Sequence, residues 1–148
     1  MYAVRPATSS MTSSSPRQHL DAGLYARVGV ETGVGAATPH RLVSMLFDGF
    51  VVAVTTAKAA LLTGDVQTKC SAINRAARIV DEGLKASLDP AGGALAIDLN
   101  ELYAYVVLRL TQANLGNDTD RLDECLALMQ PLRDAWAEIG PRVDAGRT

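Results

Sequence analysis

Chemistry at a protein site needs a nucleophile, an acid–base pair or a set of metal ligands, and this chain is short of all three. Its two histidines are His19 and His40, and its two cysteines are Cys70 and Cys125. His40 follows Thr38 and Pro39 in what reads as the first turn of a helix, where a solvated side chain is expected. No CxxC, HExxH or Glu-x-x-His occurs, so neither a zinc site nor a di-metal bundle site has its ligands. The cysteines read as reduced, small apolar residues. Asp98 and Glu101 are three apart and could share a helix face, but a solvated role is expected there. The string "AGGA" at 91–94 lacks the lysine and the spacing of a phosphate-binding loop. No catalytic, cofactor-binding or metal-binding set emerges, and neither an enzyme nor a cofactor is expected.

The bulk properties point the same way. The chain has 148 residues, a net charge of −2, 48% hydrophobic residues and 20% charged residues. That is enough chain to bury a real core. There is no block of Lys and Arg, which argues against a nucleic-acid surface and against a polybasic membrane anchor. The opening "MYAVRPATSSMTSSSPRQ" has no apolar segment of a secretory signal. No run of about 18 apolar residues is apparent, so no membrane insertion is expected and the default address is cytoplasmic.

With no chemistry to position, the elements themselves carry the reading. Residues 1–18 are rich in Ser, Thr and Pro and read as a flexible tail. Leu20, Leu24 and Val28 are four apart and suit a short helix, ended by Gly29 and Gly33. Four long helical patterns follow. The first spans 39–63, with Thr38 as N-cap, Pro39 at the first helical position and Gly64 as the stop. Asp65 suits the N-cap of the second, about 66–88. "LDPAGGA" is a turn, and the third helix runs from about 95 to 115. Gly116 and Asn117 suit a C-terminal cap, and Asp118 or Thr119 an N-cap. The fourth runs from about 120 to 139, through Pro131 with a kink rather than a break. Short connections predict antiparallel neighbours. The expected fold is all-α: an elongated antiparallel four-helix bundle over 19–140, with a short N-terminal helix or segment beside it and a flexible tail at 141–148.

The four helices are of two kinds. The second and fourth are charged and keep their apolar residues to one stripe, as amphipathic helices do. Residues 41–63 carry only Arg41, Asp48 and Lys58 as charges, and residues 94–115 only Asp98, Glu101 and Arg109. Both have apolar residues on more than one side. In the third, Leu95, Leu99, Leu102, Val106 and Leu110 make one stripe, widened by Tyr103 and Val107 one way and by Tyr105 and Leu108 the other. A helix that is apolar most of the way round must be covered most of the way round. The cover is the chain's own N-terminal segment, a second subunit or a partner. Asp48 and Arg109 are placed to pair between these two helices.

Several strings together carry a more specific signal. "LYARVGVET" (24–32), "ATPHRLVSMLFDGF" (37–50), "INRAARIVDEGLKASLD" (73–89), "NELYAYVVLRLTQANLGND" (100–118) and "RDAWAEI" (133–139) resemble, in order, the flagellar secretion chaperone family FliS. The resemblance covers Leu24 to Ile139. It implies a cytoplasmic four-helix export chaperone that binds the C-terminal segment of flagellin, prevents premature polymerisation and aids delivery to the flagellar type III export apparatus. Flagellin and components of that apparatus are then the implied partners. Expected client contacts are Leu42, Met45, Leu46, Phe50, Tyr103, Val106, Val107 and Leu110. In the family a short N-terminal segment can cover part of the client surface, and here it would include Tyr25 and Val28. The chain departs from the family at Phe47, where many members have tyrosine, and at Pro131. Asn114, Asn117 and Asp118 read as end-of-helix hydrogen-bonding residues, and Trp136 as a core or groove-edge anchor. The alternative is a structural bundle that forms a permanent homodimer without a client.

Overall fold

The computed structural model describes residues 38–146, with side chains as far as Gly140. The expected N-terminal tail, the short helix near Leu24 and the cover residues Tyr25 and Val28 lie outside the described residues. Among those described, four long helices and no strand are found: α1 (Pro39–Thr63), α2 (Val66–Arg78), α3 (Gly93–Gly116) and α4 (Thr119–Gly146).

The helix ends form where short-range chemistry calls for them. The Thr38 side chain accepts from the Arg41 N–H at 3.1 Å, and Pro39 opens α1 where its missing donor costs nothing. Gly64 closes α1 at φ 79°, a left-handed conformation that needs no Cβ. Its neighbour Asp65 caps α2 by accepting from the Thr68 N–H at 3.1 Å, and this bonding holds the Asp65 carboxyl below its ordinary range. Asn117 ends α3 at φ 50°, and Asp118 accepts from the Asp120 N–H at 2.9 Å to start α4.

Two helices depart from their expected course. α2 does not continue regularly to residue 88: from Ile79 to Leu84 it widens into a π-helical stretch, with the Lys85 N–H bonded to the Val80 carbonyl at 2.8 Å. Val80, Gly83 and Leu84 are all buried there. Gly83 is needed for closeness, because a Cβ at that position would sit 3.0 Å from Leu46 Cδ2 on α1. α4 runs unbroken through Pro131, which lies on the exposed side, and continues past the expected end near Ile139 to Gly146. Gly140 is buried under His40, so the turn after Ile139 is held by packing rather than released.

α1 packs on α2 and α4, and α3 packs on α2 and α4. The ring order is therefore α1–α2–α3–α4, with α1 and α3 at opposite corners. Asp48 meets Arg133 at 2.8 Å and Lys58 meets Asp123 at 2.6 Å. Ten residues forward on α1 are ten residues back on α4, which makes the pair antiparallel. Inside the ring, Phe50, Val54, Ile73, Leu84, Val106, Leu110, Leu122 and Met129 are all but inaccessible to water. α1 is long and apolar enough, by length and composition, to cross a bilayer, contrary to the expectation that no segment has that character. Its most apolar face is the bundle core: Phe47, Phe50, Ala53, Val54 and Ala57 are buried. A core helix of this kind meets the same length and composition test.

Candidate binding surface

The residues that could do chemistry are occupied with structure. His40 is not solvated, as its place in the first turn suggested. Its ring stacks on Trp136 with centroids 4.8 Å apart and planes at 10°. The Trp136 indole Nε1–H donates to the His40 carbonyl at 3.0 Å, and His40 Nε2 lies 2.6 Å from the Trp136 carbonyl. A carbonyl only accepts, so His40 carries a proton on Nε2. This reciprocal clasp fastens the start of α1 to α4. It forms because Gly140 leaves the ring room: a Cβ there would stand 2.5 Å from His40 Cε1.

Asp48 and Arg109 do not pair with each other, because α1 and α3 are not neighbours. Asp48 binds Arg133, and Arg109 binds Glu124 at 2.7 Å. Glu124 also accepts from the Tyr105 hydroxyl at 2.6 Å, while Arg109 Nη1 donates to Gln112 at 2.8 Å. The Tyr105 hydroxyl and then Arg109 hold the Glu124 carboxyl below its ordinary range, and the bond to Glu124 raises the Tyr105 phenol. This cluster ties α3 to α4 and fixes how α3 is rotated.

At the other edge of α3, Lys69 is 95% buried and its Nζ donates to the Asn114 carbonyl at 2.9 Å. Cys70 donates to the Asn114 side chain at 3.4 Å. A cation suits the carbonyls at a helix C-terminus. The burial of Lys69 was not legible in the sequence, where it is one of six charges in 66–88 and nothing sets it apart. Cys125 is buried under the Val106 carbonyl, and burial pushes its thiol up to about 12. Among the described residues no group of His, Cys, Asp and Glu is spaced to hold a metal. Two open clefts, of about 170 Å³ beside the α1–α2 turn and about 300 Å³ along Thr56, Gln67 and Arg75, lie below or at the lower end of the roughly 300–1,000 Å³ of small-molecule sites.

The apolar residues expected to meet a client divide sharply. Phe50, Val106 and Leu110 are fully buried, Tyr103 is 4% exposed and Leu46 is 8% exposed. All five are buried in the bundle and present little surface as folded here. Leu42, Met45 and Val107 are half-buried at its edges. The open apolar surface lies elsewhere. On α3, Ile97, Leu108 and Leu115 are 61%, 52% and 82% exposed, directly opposite the buried side formed by Tyr103, Val106, Leu110 and Ala113. On α1, Val52 and Leu62 are exposed in the same way. The sequence holds a signal for the α3 strip. Steps of eleven and seven residues from Ile97 to Leu108 to Leu115 return to one face of a 3.6-residue helix. The stripe through Leu95 to Leu110 is the more obvious one: Val106 and Leu110 are core, Leu99 and Leu102 are half-buried, and Leu95 is 67% exposed.

The bundle's α3 is thus apolar on its core side and again on its water side, which leaves part of it uncovered. The chain belongs to the FliS family: the family model described as flagellar protein FliS matches residues 21–143. Among its relatives, the flagellar secretion chaperone FliS of Salmonella typhimurium is 45% identical over 119 residues, 80% of this chain and 88% of that protein. The flagellar secretion chaperone FliS of Escherichia coli is 41% identical over 115 residues, 77% of this chain and 85% of that protein. The flagellar secretion chaperone FliSB of Pseudomonas aeruginosa is 37% identical over 116 residues, 78% and 91% of the two chains.

Proposed function

We propose that this chain is a cytoplasmic export chaperone. It holds the C-terminal segment of flagellin, keeps it from polymerising early and aids its delivery to the flagellar type III export apparatus. The observation that carries this reading is the strip of Ile97, Leu108 and Leu115 on the water side of α3. It is about 27 Å long at 1.5 Å per residue, enough for five turns of an amphipathic helix. Val107, half-buried beside the strip on α3, extends the contact, while the five buried residues keep the framework rigid. A client segment that folds on this face loses roughly 2–5 kcal/mol of the gross interaction to ordering and is masked from its own assembly. Binding alone performs the task, so no nucleotide, cofactor or catalytic group enters.

Isothermal titration of the full chain with a flagellin C-terminal peptide tests the proposal. Saturable binding is expected, with the peptide gaining helical circular dichroism as it binds. A stable dimer that ignores the peptide would favour the permanent-homodimer alternative and overturn the chaperone reading.

A further inference from the structure

Lys69 carries a charge that its surroundings answer only in part. The residue is 5% exposed, yet among the described residues no carboxylate forms an ion pair with it. Its Nζ donates to the Asn114 carbonyl at 2.9 Å, which uses one of three N–H groups. The carbonyls at the end of a helix amount to about half a unit of negative charge. An ammonium taken out of water with a single bond made is costly, and lysines are rarely buried unless paired. Asn114 therefore holds the side chain in place and leaves it short of an anion.

The place where an anion can reach it is open. Lys69 lines the cleft of about 170 Å³ beside the α1–α2 turn, with Ala60, Leu61, Val66 and Asn117. The cleft lies at the end of the bundle where α1 and α3 finish and α2 starts, because the caps of all three helices line it. The positive end of the α2 dipole forms one wall. The one carboxylate in that wall, Asp65, is turned to the Thr68 N–H at 3.1 Å and makes no ion pair with Lys69. The rim is apolar: Leu61 is half-buried and Val66 is exposed. Leu115, the last residue of the α3 strip, directly follows Asn114 and stands two residues before Asn117. The strip therefore ends at the same end of the bundle as the cleft.

A small mouth with an apolar rim and a buried cation suits the end of a polypeptide. The terminal carboxylate meets the ammonium, and the last apolar side chain meets the rim. We propose that this cleft receives the terminal carboxylate of the client segment and that Lys69 binds it. The inference rests on the reading of the chain as a chaperone for a C-terminal segment and adds the point at which that segment's end is anchored. It also supplies a selectivity that the apolar strip lacks, since a helix in the middle of a chain has no terminal carboxylate to offer.

Two flagellin C-terminal peptides, identical except for a free-acid or an amidated end, test the anchor by titration of the full chain at pH 7. The free acid should bind about tenfold more tightly, because amidation replaces a charge-assisted bond with a neutral one. In Lys69→Met, which keeps a long side chain without the charge, the two peptides should bind within about twofold of each other. Asp65→Asn keeps a capping side chain and removes the carboxylate from the cleft, so it should widen the advantage of the free acid. The peptide pair on the unsubstituted chain needs no variant to fold. Equal binding of the two peptides there overturns the anchor and leaves the chaperone reading standing. An advantage of the free acid that persists undiminished in Lys69→Met places the carboxylate elsewhere and overturns the assignment to Lys69. If neither peptide binds, the chaperone reading and the anchor fall together.

Discussion

Replacing Gly140 with alanine should break the clasp between α1 and α4. The new Cβ would stand 2.5, 2.9 and 3.1 Å from three atoms of the His40 ring, so the ring must leave. With it goes the 2.6 Å bond to the Trp136 carbonyl, worth about 0.5–1.5 kcal/mol, and the stacking on the indole, worth about as much again. Alanine returns up to about 1 kcal/mol of helix propensity. The net cost is about 1–2 kcal/mol, or roughly 2–8 °C in Tm for a chain of this size. Thermal unfolding followed by far-ultraviolet circular dichroism gives the Tm. The single tryptophan, Trp136, reports the loss of stacking by its fluorescence. The decisive comparison is Gly140→Ala in a His40→Ala background. With no ring to strike, it should be neutral or stabilising by up to about 1 kcal/mol. If it costs the same in both backgrounds, the clasp is not what makes Gly140 necessary, and the reasoning fails.

Two further outcomes follow from groups tied to the bundle. The Glu124 carboxyl is held below its ordinary value by Tyr105 and Arg109. Its contribution is therefore full above about pH 4.3 and is lost as pH falls through the lower folded value. Glu124→Gln should lower Tm at pH 7 and show a smaller loss than the unsubstituted chain between about pH 5 and 3; parallel melting curves would refute this. Burial pushes the Cys125 thiol up to about 12, so at pH 8 a thiol reagent should label Cys70, which is half-buried, and spare Cys125 until unfolding. Two equally fast thiols in the native chain would contradict the packing.

The helix ends were legible because capping is local chemistry. Thr38 with Pro39, Gly64 with Asp65, and Asn117 with Asp118 each act within three or four residues of themselves. The antiparallel arrangement followed from the shortness of the turns. What neighbours decide was not legible. Nothing in "IVDEGL" announces a π-helical stretch, and the close approach of Leu46 to Gly83 comes from another helix. His40 looked solvated because its partners, Trp136 and Gly140, are nearly a hundred residues away. The doubled apolar character of α3 was visible, but the side facing inward depends on which helices flank it. That order, α2 and α4 rather than α1, also separates Asp48 from Arg109. Phe50, Val106 and Leu110 therefore belong to the core, and Leu108 belongs to the surface.

The central claim is that the water side of α3 receives the flagellin segment, and Leu108→Glu tests it most directly. Leu108 is 52% exposed, so the substitution should move stability by no more than about 0.5 kcal/mol. Burying the exposed half of Leu108 is worth about 0.8–1.5 kcal/mol, so its loss should weaken peptide binding roughly 4- to 12-fold, and a carboxylate buried in its place adds to that. Val52→Glu, equally exposed on α1 at the opposite corner, should weaken it far less. Titration of the three proteins with flagellin C-terminal peptide, alongside their melting curves, gives both numbers. A Leu108→Glu chain that melts normally and binds the peptide as tightly as the unsubstituted chain would contradict the account.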